Sequence, residues 1–336
     1  MIKLAIDLGS WVTKIYKTGC GVVLAEPTCA AIEQLPGEGR YNVKSFGERA
    51  RALSGREAQN THIINPVTDG DIAQPDIAAD MLRYFLEKIE INERRARNTE
   101  VVFILPCGSK PNLKRKYLRL ADECNIGKVY FTQTPFAAVL GHNVPLGDST
   151  PVFSVDIGYG LTNIAAFSLD GVIAGMSMNL GGGNIDVHII DFMIENFNLR
   201  IGAITAERIK NTVGSFLPDD DKTMMVDGTD ASTGAPASVM VSTSLIYEVL
   251  ELYVDKIIEY VSLMISQLPS EVASAVIHSG IFLSGGLCKM DGLAEYFSEK
   301  LGITINTFDE PQLAAVIGGG TIISSEYFRR KAATQD

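Results

Sequence analysis

Alternation opens the chain. Residues 2 to 8 (IKLAIDL) switch between apolar and polar positions, and residues 21 to 32 (GVVLAEPTCAAI) are dense in Val, Leu, Ala and Ile behind a glycine boundary. A period of two predicts consecutive strands joined as a hairpin. From Gln34 to Asn65 the pattern fades into Gly, Pro and charge, which predicts a small, partly exposed insertion. Helical spacing then takes over in QPDIAADMLRYFLEKIEI, where Ile77, Met81, Leu82, Phe85 and Ile89 form one stripe. It returns in SKPNLKRKYLRLADEC, with Leu113, Tyr117 and Leu120 on one face and Ser109 read as the N-cap before Pro111. Between them VVFIL (101–105) is a continuous apolar run, the mark of a buried strand. Strands alternating with helices predict an α/β sheet.

The second half repeats the first. LAIDLGSWVTKI (4–15) laid over FSVDIGYGLTNI (153–164) puts Asp7 on Asp156, Gly9 on Gly158, Thr13 on Thr162 and Ile15 on Ile164. A glycine run at Gly181 to Gly183 leads into a predicted helix from about Ile185 to Asn196. PDDDKTMMVDGTDASTGAPASVMVST mixes turn residues with short apolar runs, as a solvent-facing hairpin does. A long helix is predicted over Ser244 to Gln267, with Val249, Leu250, Tyr253, Ile257, Tyr260, Val261 and Met264 on its stripe. IFLSGG (281–286) reads as a buried strand ending in a glycine turn. The glycines of AAVIGGGTIIS imply close backbone approach, either to a neighbouring helix or to something bound.

Composition narrows what such a chain can be. At 336 residues with 46% hydrophobic content it is long enough for two domains, each with a core. No apolar run approaches the roughly 18–20 residues of a membrane span, and the strand pattern starting at Ile2 leaves no room for a signal peptide, so a cytoplasmic protein is expected. Cys20, Cys29, Cys107, Cys124 and Cys288 are scattered without a CxxC pair, and the four histidines are dispersed, which argues against a disulfide framework or structural zinc. A net charge of −11 repels phosphate backbones and anionic bilayers, so no direct nucleic-acid binding is expected.

The doubled turn carries the candidate chemistry. An Asp at a strand end followed by Gly and Ser or Thr sets a carboxylate beside outward-pointing backbone amides, which can cradle a phosphate. Two such turns from two similar domains can grip one polyphosphate, with the carboxylates of Asp7 and Asp156 holding Mg2+ through water. One Asp-x-Gly is weak evidence; two in register at Asp, Gly and Thr are strong.

On these residues the chain resembles the actin, Hsp70 and sugar-kinase superfamily, and within it the MreB family of bacterial actin homologues. GVVLAEPTCAAI, NPVTDGDIA, TPFAAVLGHNVPL and AERIKNTVGSFLP are similar to motifs of that family, and the likeness runs from about Ile2 to Ser325. The resemblance implies an actin-like ATPase fold: two similar domains, each with a smaller subdomain, and a nucleotide cleft between them. Domain I would take residues 1–148 plus 312–336 with an insertion at about 33–65, and domain II 149–311 with a subdomain at about 179–240. It implies ATP and Mg2+ as cofactors. Asp7, Gly9, Ser10 and Thr13 fall on the first phosphate loop, and Asp156, Gly158, Gly160 and Thr162 on the second. Gly181 and Gly182 fall where the family meets the nucleotide sugar, Glu207 and Lys210 where it meets ribose and adenine, and Gly285 and Gly286 on the adenosine turn. Two alternatives stay open: Glu207 with Lys210 as an exposed helical pair, and Lys14 as a solvated strand-edge residue or, as in actin, a lysine reaching the phosphates.

The chain also departs from the family pattern. Thr134 replaces the Glu that orients the attacking water, and Gln133 lies one residue away. Tyr159, Leu161 and Asn163 alter the second loop, and Trp11 and Val12 the first. Losing positioned general-base help typically costs about 10²- to 10⁴-fold in rate. The implied function is therefore a cytoskeletal protein that binds ATP, polymerises, and hydrolyses slowly, a weak ATPase at most. Two other readings remain on the same fold: a pseudo-ATPase scaffold whose Tyr159 and Trp11 fill the phosphate volume, and a small-molecule kinase, for which substrate-pocket insertions are not evident. Self-association into filaments is the implied partnership. Arg94, Arg95 and Arg97 offer either attraction to anionic lipid or a solvated helix end, so contact with the inner face of the cell membrane is expected to be weak or to run through a membrane-associated partner protein.

Overall fold

The computed structural model describes residues 1–35, 41–142, 144, 151–169 and 171–333. The expected domain boundary at 148/149 lies outside them. Among the described residues, 1–144, 175–177 and 313–333 group as one compact unit, and 151–174 with 178–312 as a second.

In the first unit β1 (Ile2–Leu8), β2 (Val12–Lys17) and β3 (Gly21–Pro27) form an antiparallel meander. The chain then leaves this sheet. β4 (Ala30–Gln34) pairs with β5 (Tyr41–Phe46) and β6 (Thr61–Ile64) in a small sheet that carries α1 (Glu48–Arg51). The apolar run 21–32 is thus two strands of two sheets, and the insertion has its own small core of Cys29, Ala31 and Ala50. After the short pair β7 (Val67–Thr68) and β8 (Asp71–Ile72) come α2 (Pro75–Lys88), α3 (Glu93–Ala96), β9 (Thr99–Leu105), α4 (Pro111–Glu123), β10 (Lys128–Gln133) and α5 (Thr134–Gly141). β9 runs parallel to β1, and β10 parallel to β9. Leu4 and Ile6 of β1 share a core with Met81, Leu82 and Phe85 of α2 and with Tyr117 and Leu120 of α4, so both predicted stripes face the sheet. Ser109 does not cap α4. Its hydroxyl donates to the Pro106 carbonyl, and the N-cap position falls to Lys110, with Pro111 opening the helix.

The second unit follows the same plan. β11 (Val152–Ile157), β12 (Thr162–Ser168) and β13 (Gly171–Met178) are followed by α6 (Gly182–Phe197), β14 (Leu199–Arg200), α7 (Ala203–Val213), β15 (Thr223–Asp230), β16 (Pro236–Ser242), α8 (Thr243–Gln267), α9 (Ser270–Ser279), β17 (Ile281–Ser284), α10 (Leu293–Leu301) and β18 (Ile305–Asn306). β15 and β16 are the predicted hairpin. α6 starts three residues before the predicted Ile185, because the Gly181 amide donates to Asn184 Oδ1 at 2.8 Å and nucleates the helix on the glycines themselves. The chain ends in α11 (Ala314–Ser324) and α12 (Glu326–Ala333). The first main sheet is ordered β3-β2-β1-β9-β10 and the second β13-β12-β11-β17-β18, each a meander followed by two parallel strands. The repeat seen in the sequence is a repeat of topology.

The glycines of α11 serve packing inside the first unit. A Cβ at Gly318 would lie 1.7 Å from the Ala137 carbonyl oxygen of α5, and one at Gly320 would strike the Tyr16 ring of β2. No helix of the described residues is long and apolar enough to cross a membrane. Arg94, Arg95 and Arg97 are exposed around α3, which Asn92 caps by accepting the Arg95 amide at 3.1 Å.

Candidate functional site

In each sheet the acidic residue stands near the carboxyl end of a central strand, where parallel α/β sheets place their ligands. The two hairpins match in register: Asp7 lies opposite Lys14 and Leu8 opposite Thr13, while Asp156 lies opposite Asn163 and Ile157 opposite Thr162. Their charges differ. Asp7 Oδ2 meets Lys14 Nζ at 2.8 Å, so Lys14 is an ion-pair partner rather than a solvated edge residue. Asp156, almost wholly buried, accepts from Ser284 Oγ at 2.8 Å on the parallel neighbour β17.

Both turns are tight. A Cβ on Gly9 would lie 2.7 Å from the Val12 carbonyl oxygen, and one on Gly158 3.1 Å from that of Leu161, whose carbonyl also accepts the Gly158 amide at 2.8 Å. Ser10 and Gly160 sit partly exposed at the two turns. Thr13 and Thr162 are fully buried. The Thr13 hydroxyl bonds that of Thr28 at 2.8 Å, and the Thr162 hydroxyl donates to the Leu180 carbonyl. What the two threonines supply is support from behind the turn.

The second unit gathers four of the predicted segments. The Gly182 and Gly183 amides donate to the carbonyls of Gly158 and Tyr159 at 3.0 and 2.8 Å, joining the start of α6 to the second turn. A Cβ at Gly181 would meet the Tyr159 carbonyl oxygen at 2.4 Å. These glycines therefore pack backbone on backbone, with their amides spent inside the unit. Lys210 of α7 is buried rather than half of an exposed pair. Its Nζ donates to the Gly182 carbonyl at 2.8 Å and meets Asp186 Oδ1 at 2.6 Å. Burial pushes the Asp186 carboxyl up to about 6 while Lys210 pulls it down. Glu207, one turn earlier, is partly buried. Gly182 in turn lies beside Leu287, just past the predicted adenosine turn. There Gly285 has a φ of +98°, and its missing Cβ would overlap the backbone of Ile157; Gly286 is different, for beyond its two chain neighbours no heavy atom of the described residues lies within 4 Å of where its Cβ would be.

At the end of β10, beside β9 in the first sheet, the two candidate catalytic residues part company. Thr134 Oγ1 donates to the Leu105 carbonyl at 3.0 Å. Gln133 Oε1 is buried with no hydrogen-bond partner. The two aromatic residues that the scaffold alternative would put in the phosphate volume contact their own units: the Arg51 guanidinium lies 3.6 Å from the Trp11 ring centroid, and the Tyr159 ring packs against Gly183.

Sequence reasoning missed Ser284, Asp186 and Arg51. Asp186 had a signal, as an acidic residue between the apolar Ile185 and Ile189 whose burial calls for a cation. Ser284 lies in the quoted IFLSGG and had none without strand pairing. Among the described residues no group of three or more His, Cys, Asp or Glu could hold a metal by itself. A hard cation here would rest on one or two carboxylates, water and phosphate oxygens, the usual manner of Mg2+.

Comparison with known proteins follows the same lines. A family model described as MreB/Mbl protein matches residues 1–331. The cell shape-determining protein MreB of Escherichia coli is 32% identical over 318 residues, covering 94% of this chain and 92% of that protein. The cell shape-determining protein Mbl of Bacillus subtilis is 27% identical over 325 residues, covering 96% of each. Among solved structures, MreB5 of Spiroplasma citri bound to AMPPNP superposes with a TM-score of 0.90 at 23% identity, covering 98% of this chain and 97% of that one. The MamK double helical filament gives 0.79 at 20% identity, covering 96% and 99%. The fold is therefore actin-like.

Proposed function

The chain belongs to the MreB/Mbl family, and from that premise we propose that it is an actin-like cytoskeletal protein that binds ATP with Mg2+ and polymerises into filaments serving cell shape or intracellular organisation. Relatives named as cell shape-determining, a neighbour bound to AMPPNP and a neighbour solved as a filament support the reading. The observation that carries it is Gly286. It is exposed, its backbone does not require glycine, and its neighbours do not exclude a side chain, so the bare Cα leaves room for close approach of a ligand at the adenosine turn. Gly285, by contrast, is demanded by the fold.

The turns at Gly9 to Thr13 and Gly158 to Thr162 would hold the phosphates, Lys14 would add positive charge, and Asp7 and Asp156 would hold Mg2+. Bound Mg2+ supplies charge neutralisation at the phosphates. Residues 1–148 with 312–336 and residues 149–311 form the two domains, and the protein works in the cytoplasm, meeting a membrane through partners. Hydrolysis is slow because Thr134 carries no carboxylate, and its hydroxyl is turned to the Leu105 carbonyl. Gln133, with its unpaired buried oxygen, is the residue that orients the attacking water. The contacts made by the Trp11 and Tyr159 rings favour nucleotide binding over a filled, nucleotide-free scaffold.

Thermal melting tests the proposal. Mg·ATP at about 100 times its dissociation constant should stabilise the protein by about 2.7 kcal/mol. Gly286→Val should leave the ligand-free melting temperature unchanged and abolish that gain. Absence of any shift in the unmodified protein at millimolar Mg·ATP would overturn the reading, and electron microscopy of the same samples should show filaments with nucleotide.

A further inference from the structure

The first turn is not held by its own two strands alone. Trp11, its last residue before β2, is partly buried under the guanidinium of Arg51, 3.6 Å from the ring centroid, and an Arg51 Nη donates to the Trp11 carbonyl at 3.4 Å. Arg51 ends α1, in the insertion, 40 positions along the chain. The same Trp11 carbonyl accepts the Thr28 amide at 3.0 Å, where the chain crosses from the main sheet into the insertion. α1 is itself anchored: the Gly47 amide donates to the Cys29 carbonyl at 3.0 Å, and Glu26 accepts the Glu48 amide at 3.4 Å while pairing with Lys88. Turn, crossover and insertion helix converge on one residue, Trp11, through its backbone carbonyl and its ring.

Resting on the nucleotide-binding reading above, we propose that Arg51 is a positioning residue for the first phosphate turn, fixing Ser10 to Val12 through Trp11 and coupling that turn to the insertion. A planar guanidinium stacked on an indole restrains both partners in orientation as well as distance. Coupling of this kind is reciprocal: a ligand that orders the turn orders α1 and β5, and an insertion held by another contact favours the ligand-ready turn.

The test uses the full-length protein and needs no ligand for its first arm. Trp11 is the chain's one tryptophan, so its emission and acrylamide quenching report the stack directly. Arg51→Ala should raise quenching and speed amide exchange about two- to fivefold at both residues 9–13 and residues 47–52, the scale of one cation–π contact. Arg51→Lys should restore part of each. Lys44→Ala, which breaks the exposed Lys44–Glu33 pair of the same insertion, should leave residues 9–13 unchanged. In the second arm, Arg51→Ala should need about two- to fivefold more Mg·ATP to reach half of the thermal shift. Unchanged exchange at residues 9–13 in both Arg51 variants would overturn the proposal. Faster exchange there in a protein that Mg·ATP never stabilises would leave the coupling standing and remove the nucleotide reading instead.

Discussion

At Thr134 the proposed slow hydrolysis comes down to a missing carboxylate. It opens α5 at the position where the resembling family carries a Glu, and its Oγ1 is drawn back to the Leu105 carbonyl at the end of β9, so it has neither the charge nor the direction of a base. Gln133 Oε1, one residue earlier, is buried without a partner, and a buried acceptor left unmatched is costly unless something else binds it. The roles are separable by phosphate release at saturating Mg·ATP. Thr134→Glu should raise the rate by about 10²- to 10⁴-fold, the usual contribution of a positioned base, and a carboxylate in the first turn of a helix is also favoured by the helix dipole. Thr134→Ala should leave the rate unchanged, whereas Gln133→Ala should lower it. A Thr134→Glu protein that is still stabilised by ATP and releases phosphate no faster would remove the missing-carboxylate account. Positions such as Lys210 and Thr13 teach a related lesson: the sequence marks them for the site, yet their polar atoms are engaged within their own units, which only three-dimensional neighbours reveal.

Elements were legible where many large apolar residues repeat with one period. α2, α4 and α8, which begins at Thr243 beside the predicted Ser244, follow from their stripes, and the β15–β16 hairpin from its turn residues between short apolar runs. The insertion was legible as a segment, but its strands were not, because its separate core is made of Cys29, Ala31 and Ala50, small residues that leave no periodic trace. The split between β3 and β4 was hidden for a related reason: both strands are apolar, and only pairing shows that they belong to different sheets. The glycines of α11 were visible, but their partner was not. Two open readings are decided by the Ala137 carbonyl oxygen, 1.7 Å from where a Gly318 Cβ would sit. The sign of Gly318→Ala then follows. Helix propensity alone would stabilise an alanine there by about 1 kcal/mol, whereas backbone cannot yield to it as a flexible side chain would, and such overpacking costs about 1–3 kcal/mol or more. Calorimetry should find a net loss of about 1–2 kcal/mol, a melting temperature lower by roughly 2–8 °C at the scaling for domains of this size. A higher melting temperature would show that the α5–α11 contact is looser than the geometry requires.

At the scale of the whole molecule the governing quantity is charge. Every subunit carries −11, and head-to-tail association is a heterologous contact that repeats without closing, so a filament stacks like charges at every step. Repulsion between them reaches about 30 Å at 0.01 M salt and about 8 Å at 0.15 M. Nucleotide-driven assembly, in which ATP favours the assembling conformation by binding it more tightly, must act against that repulsion. At fixed protein and Mg·ATP, the sedimentable fraction should therefore rise as potassium chloride increases from about 10 to about 150 mM, and without nucleotide salt alone should produce little pellet. Filaments that dissolve over the same range would mean that complementary charged patches, rather than the net charge, set the longitudinal contact. In that case single charge reversals on the contact surface should abolish assembly while leaving ATP stabilisation intact, because the nucleotide turns and the polymer faces would then answer to different electrostatics.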